Sequence, residues 1–299
     1  MRYGVIDLGS NTVRLVVYDI IDQNNFKKVY SRKEVVGLAS YLLPEGYLSD
    51  MGILRAIEVV KELKEDSESY QTDKLFLIAT ATVRNARNQN EIVNRIHMST
   101  GVKVTLLSGL EEASVGVLGI KHEFDFKEGV VIDIGGGSTE VSTIFDKKVD
   151  QAASLPVGSL NAYITYVKDM LPTESEIKSI KKGVIHALEQ AEIKRLKMNV
   201  IYGIGGTLKA AKALYEGMMN KHLDYLTKEN ILHIMRKIDP TKKSTYLNLI
   251  RLVPERFHTI MPGLVILETI FEYFDAERLY IGKNGIREGY ILSQMKKKA

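Results

Sequence analysis

The chain has 299 residues, 45% of them apolar and 26% charged, with a formal net charge of +4 and no cysteine. At roughly 150 residues per domain this length suggests two domains with sizeable cores. The lack of cysteine excludes disulfides, thiolate zinc sites and a cysteine nucleophile, and so small a charge gives no reason to expect nucleic acid as a partner. The amino end runs straight into the strand-like Tyr3-Gly4-Val5-Ile6-Asp7, and no later apolar run has the length of a membrane span. Neither secretion nor membrane insertion is therefore expected, and the cytoplasm is the expected location.

In chain order, Tyr3 to Asp7 and Val13 to Tyr18 read as two strands joined by the turn Leu8-Gly9-Ser10-Asn11. A helix is predicted over 50–66, with Ile53, Ile57, Val60 and Leu63 on one face. A short buried strand follows at 75–79, then a loop over 80–88, a helix over 90–98, a strand over 102–107 and a helix reaching about Ile120. After the charged segment 121–128 the opening pattern returns: Val130 to Ile134, the turn Gly135-Gly136-Gly137-Ser138-Thr139, and a strand from Glu140 to Phe145. Each copy ends an apolar strand on an aspartate, and Asp7 and Asp133 lie 126 residues apart, about one domain length. The residues 200–207 form a third strand-to-glycine unit and lead into a helix from about Leu208. A fourth, 278–285, leads into a closing helix over 286–296. Between these two units the chain is mainly helical and is interrupted by Pro240, Pro254 and Pro262. Lys296-Lys297-Lys298 reads as a solvated tail. The expected domains are 1–123 and 124–299, the closing helix being free to pack back on the first.

Glycine turns after strands let successive backbone N–H groups converge on a phosphate, with Ser or Thr hydroxyls as further donors. Asp7 and Asp133 at the strand ends can then hold a hard cation, directly or through water. A single such turn is also an ordinary hairpin, and it is the repetition that favours the phosphate reading. Glu140 starts the returning strand and can point back to its turn. Ser108 and Glu111 have the spacing of a capping box. Glu112 lies about 100° further round the helix, outside that cap, and is a candidate to orient an attacking water. Arg14, Arg84 and Arg87 carry the forked guanidinium suited to phosphate oxygens. Gly203-Ile204-Gly205-Gly206-Thr207 can present helix N-terminal amides to an anion, but it has neither P-loop spacing nor a Rossmann acidic residue. The six histidines show no metal spacing, and there is no GxSxG nucleophile.

Taken together, the segments 7–15, 79–84, 108–113, 133–140, 203–207 and 285–289 resemble the exopolyphosphatase and guanosine-pentaphosphate phosphohydrolase (Ppx/GppA) family, a branch of the actin and sugar-kinase superfamily. The resemblance implies an α/β fold of two actin-like (ribonuclease H-like, ASKHA) domains facing each other across a cleft, with Mg2+ as cofactor. It implies that Glu112 activates the water and that Asp133 and Glu140 lie near the magnesium and the water, with Asp7 as their first-domain partner. Ser10, Asn11, Arg14, Arg84, Gly135, Gly136, Gly137, Ser138 and Thr139 correspond to the phosphate cradle, and Gly205, Gly206 and Thr207 to a nucleotide-side turn. The implied substrate is polyphosphate or a guanosine polyphosphate, and a homodimer is compatible with the resemblance. The further carboxyl-terminal region of long family members has no counterpart in the sequence. The segment 156–161 also lacks the basic residue that often follows its glycine in the family. Two other functions stand as alternatives: a non-hydrolysing sensor of guanosine polyphosphates and a small-molecule kinase of the same superfamily.

Overall fold

The computed structural model describes residues 1–296; Lys297 and Lys298 of the basic tail lie outside them. The chain divides into two compact units, Met1–Gly119 joined by the segment that begins at Ile286, and Ile120–Gly285. The closing helix thus belongs to the first unit, whereas a single boundary near residue 123 would assign it to the second.

In the first unit, β1 (Arg2–Leu8), β2 (Thr12–Ile20), β3 (Phe26–Val35), β4 (Lys74–Ala79) and β5 (Val104–Leu106) form one sheet in the order β3-β2-β1-β4-β5. The pairings among β1, β2 and β3 are antiparallel, while β4 and β5 add in parallel. Its helices are α1 (Asp50–Ser69), α2 (Ala81–Asn85), α3 (Gln89–Thr100) and the start of α4 (Gly109–Glu123). Ser49 caps α1 by accepting from the Gly52 N–H, and Ile53, Ile57, Val60 and Leu63 are buried as their spacing predicts. They meet Ile6, Leu8, Val13 and Leu15 in one core. On the opposite sheet face, Tyr3, Val5, Val16 and Tyr18 pack against Tyr290, Ile291 and Met295 of the closing helix. Apolar residues on both faces of β1 follow from helices covering both sides. The predicted 80–88 loop is in part α2, a single helical turn that carries Arg84.

The second unit continues with β6 (Gly129–Ile134), β7 (Thr139–Phe145), β8 (Lys148–Leu155), α5 (Ser159–Tyr166), α6 (Glu174–Gln190), β9 (Val200–Ile204) and α7 (Gly206–Met219). It ends with α8 (Lys228–Lys237), α9 (Lys243–Leu252), α10 (Ile260–Tyr273) and β10 (Arg278–Ile281); α11 (Ile286–Lys296) is the closing helix. Its sheet order, β10-β9-β6-β7-β8, repeats that of the first unit, with antiparallel and parallel neighbours in the same places. A core of Val130, Ile132, Ile134, Ile201, Leu208 and the apolar helix α10 fills this unit. The fold is α/β, two actin-like units each built on a five-stranded mixed sheet. Among the described residues no helix is long and apolar enough to cross a membrane.

Candidate active site

The two aspartate turns are built alike. Gly9 N–H donates to the Thr12 carbonyl at 3.1 Å, and Gly135 N–H donates to the Ser138 carbonyl at 3.0 Å. Backbone donors from a following segment capture the turn carbonyls: Ala39, Val36 and Gly37 hold Ser10 and Asn11, and Ser159, Leu160 and Asn161 hold Gly135 and Gly136. With the carbonyls engaged from one side, Gly136, Gly137 and Ser138 can present their N–H groups to an anion. At Gly158 a Cβ would come within 2.5 Å of Gly136 and Ser138 backbone atoms, so only glycine lets this segment support the turn.

Strand register then sets the side chains. Across β1, β2 and β3 the row is Asp7, Arg14, Lys33; across β6, β7 and β8 it is Asp133, Glu140, Ser154. One framework therefore carries a mostly basic row in the first unit and a carboxylate row in the second.

In the first unit, Ser108 and Glu111 form the expected capping box, with Ser108 N–H donating to Glu111 Oε2 at 2.8 Å and Glu111 N–H to Ser108 Oγ at 3.2 Å. Glu112 is turned inward and buried, and it accepts from Arg84 Nη1 at 2.6 Å, which also donates to the Leu107 carbonyl at 3.0 Å. The sequence assigned Arg84 to phosphate; in the structure it holds the water-activating candidate. Ser10 is buried and Asn11 half-buried in the turn. Arg14 Nε donates to Ser31 Oγ at 3.1 Å, and burial holds its guanidinium below the ordinary range. Asp7 Oδ2 accepts from Arg287 Nη1 at 2.8 Å. Burial raises the Asp7 carboxyl above its usual range against the pull of that guanidinium. In the sequence Arg287 stands out only as part of a motif. Its neighbour Glu288 accepts from Tyr18 Oη at 2.5 Å, in a contact that no sequence spacing suggests.

In the second unit, the Ser138 and Thr139 hydroxyls, expected as further phosphate donors, donate within the protein. Ser138 Oγ donates to Glu140 Oε1 at 2.7 Å and Thr139 Oγ1 to the Val157 carbonyl at 2.6 Å, which leaves the backbone as the donor set of the turn. Thr207 is likewise an interior connector. Arg256 Nη1 donates to its Oγ1 at 3.1 Å, Thr207 donates to Ser159 Oγ at 3.4 Å, and Ser159 donates to the Gly135 carbonyl at 3.1 Å. This chain ties the start of α7 to the glycine turn. Gly206 leaves room for the Arg256 guanidinium, which burial lowers from its ordinary range against the attraction of Asp133. Arg256 comes from the turn before α10, a segment with no motif.

Magnesium suits part of this donor set. Gly205, at φ +93°, leaves space beside Asp133 Oδ1 that a Cβ would fill, and Glu140 stands opposite Asp133 in register. Among the described residues no group of three or more His, Cys, Asp or Glu is placed to hold a metal ion by itself. Asp7, expected as a metal ligand, is engaged by Arg287, and a cation would have to compete with that guanidinium. Asp133 with Glu140 is the better-fitting pair.

The sequence model of the Ppx/GppA phosphatase family matches residues 16–298. The chain belongs to this family. A relative, exopolyphosphatase 1 of Mycobacterium leprae, is 25% identical over 308 residues, covering 100% of this chain and 91% of its own. The crystal structure of the Aquifex aeolicus Ppx/GppA family member superimposes with a TM-score of 0.81 at 26% identity, covering 100% of this chain and 98% of that one. An exopolyphosphatase from Cytophaga hutchinsonii shares the fold, with a TM-score of 0.88 at 16% identity over 99% of this chain and 98% of its own. Membership makes the protein a phosphohydrolase of the Ppx/GppA family.

Proposed function

We propose that this phosphohydrolase releases the terminal phosphate of inorganic polyphosphate or guanosine pentaphosphate by in-line attack of a water that Glu112 orients, with magnesium as its cofactor. The observation that carries the reading is the inward, buried Glu112, held by Arg84, which the Leu107 carbonyl in turn anchors, beside a capping Glu111 that stays at the surface. A carboxylate placed this way can accept the proton of a water. The backbone donors of the Gly135 to Ser138 turn bind and orient the phosphoryl group, and positioning with electrostatic stabilisation supplies most of the catalysis in such transfers. Asp133 and Glu140 would hold the magnesium, which when bound draws charge from the phosphate oxygens. The exopolyphosphatase name of the Mycobacterium leprae relative supports the polyphosphate half of the substrate reading.

The test is phosphate release by the purified chain from polyphosphate and, separately, from guanosine pentaphosphate, each with magnesium and with chelator. Magnesium-dependent release from either supports the reading and names the substrate. Binding of both without release would turn it into a sensor.

A further inference from the structure

We infer that Ser154 is a positioning residue for Glu140. It lies directly opposite Glu140 in the β7/β8 ladder, as Glu140 lies opposite Asp133 in β6/β7. Its Oγ donates to Glu140 Oε1 at 2.7 Å, and Ser138 Oγ donates to the same oxygen at the same distance. One hydrogen bond lets a carboxylate swing about the bonded oxygen. Two donors, one from the turn and one from the neighbouring strand, fix the plane of the group and distinguish its two oxygens. Bonds to an ionised acceptor are the stronger kind, and Glu140 is only 3% exposed, so water competes little for them.

The internal repeat shows that the hairpin itself does not need this hydroxyl. The equivalent place in the first unit, opposite Arg14, is filled by Lys33 on the same backbone framework. A serine at 154 therefore goes with the glutamate at 140 and not with the fold.

This inference rests on the proposed role of Glu140, and the experiment separates the two. Full-length Ser154→Ala, Ser154→Thr, Glu140→Gln and the double variant Ser154→Ala/Glu140→Gln are compared in phosphate release from polyphosphate with magnesium, together with their melting temperatures. Removing a hydrogen bond to a charged group should lower kcat by about 10- to 100-fold. KM should stay within about twofold of the parent. Threonine should restore most of the rate, and the double variant should be no slower than Glu140→Gln, because the serine acts only through the glutamate. Losses that multiply in the double variant overturn the inference alone, as does a Ser154→Ala enzyme at full kcat, or a threonine variant as slow as alanine. Full kcat in Glu140→Gln overturns the Glu140 reading and this inference with it.

Discussion

Glu111 and Glu112 are chemically identical neighbours, and the turn of the helix alone gives them different work. Glu111 reaches back to the Ser108 N–H, and Glu112 is carried inward to Arg84. That division is legible in the sequence, because the capping spacing uses up one glutamate and leaves the other. Replacing Glu112 with Gln should lower turnover by roughly 10²-fold or more while the melting temperature stays near that of the parent. The amide oxygen can still accept from Arg84 Nη1, so the packing survives and only proton acceptance is lost. Steady-state kinetics with a thermal melt checks this, and near-normal turnover would contradict the assignment. The partner of Arg84 is not legible, since its pairing with a residue 28 positions away depends on how α2 and α4 start beside the ends of neighbouring strands. Nor can the sequence show where the Ser138 and Thr139 protons go, because both acceptors are set by tertiary placement.

A strand, a glycine turn and a returning strand can be read locally, so both hairpins and both aspartates follow from the order of the residues. β3, β8 and α6 carry no motif, and Ser154 is hidden with them; the segment 156–161 that leads into α5 resembles a family segment, but its support of the glycine turn through Ser159 is not visible in it. The start of α11 is a middle case: its residues stand in a recognisable motif, but their contacts do not. Arg287 reaches Asp7 on β1, Glu288 reaches Tyr18 on β2, and Gly289 lies so close to α4 that a Cβ would collide with the Val115 carbonyl oxygen. Gly289→Ala should therefore cost about 1–3 kcal/mol, the scale of core overpacking, because a helix backbone yields less readily than a side-chain tip. Denaturant unfolding checks the cost, and turnover should fall with it, since α4 also carries Glu112. The turn between α8 and α9 offers a pH-dependent test. Hydrogen bonds from the Thr241 side chain and N–H, then Lys242, lower the Asp239 carboxyl to about 2. With the unfolded value near 3.9, the stabilisation is present above that pH and is lost as pH falls through about 2. Asp239→Asn should lower the melting temperature at neutral pH, and its gap to the parent should narrow as pH drops below about 4. A gap that is constant across that range would argue against the charged form.

At the scale of the whole chain, the two units differ in how they are assembled from sequence. The second is one continuous stretch, Ile120–Gly285, whose strands pair among themselves and whose core is drawn from it alone. The first needs both ends of the chain, because Tyr290, Ile291 and Met295 complete the core formed with Tyr3, Val5, Val16 and Tyr18. Each fully buried side chain of this kind is worth about 1.5–3 kcal/mol, so the three together are comparable with the roughly 5–15 kcal/mol that stabilises an ordinary domain. Loss of the Arg287–Asp7 and Glu288–Tyr18 contacts adds to this. A 120–285 fragment should therefore melt cooperatively on its own. A chain ending at residue 285 should keep that transition but lose amide-exchange protection across residues 1–119, even though every residue of that stretch is still present. Hydrogen exchange read segment by segment distinguishes the outcomes. Protection of 1–119 at the full-length level in the shortened chain would mean that α11 rests on a unit already stable without it.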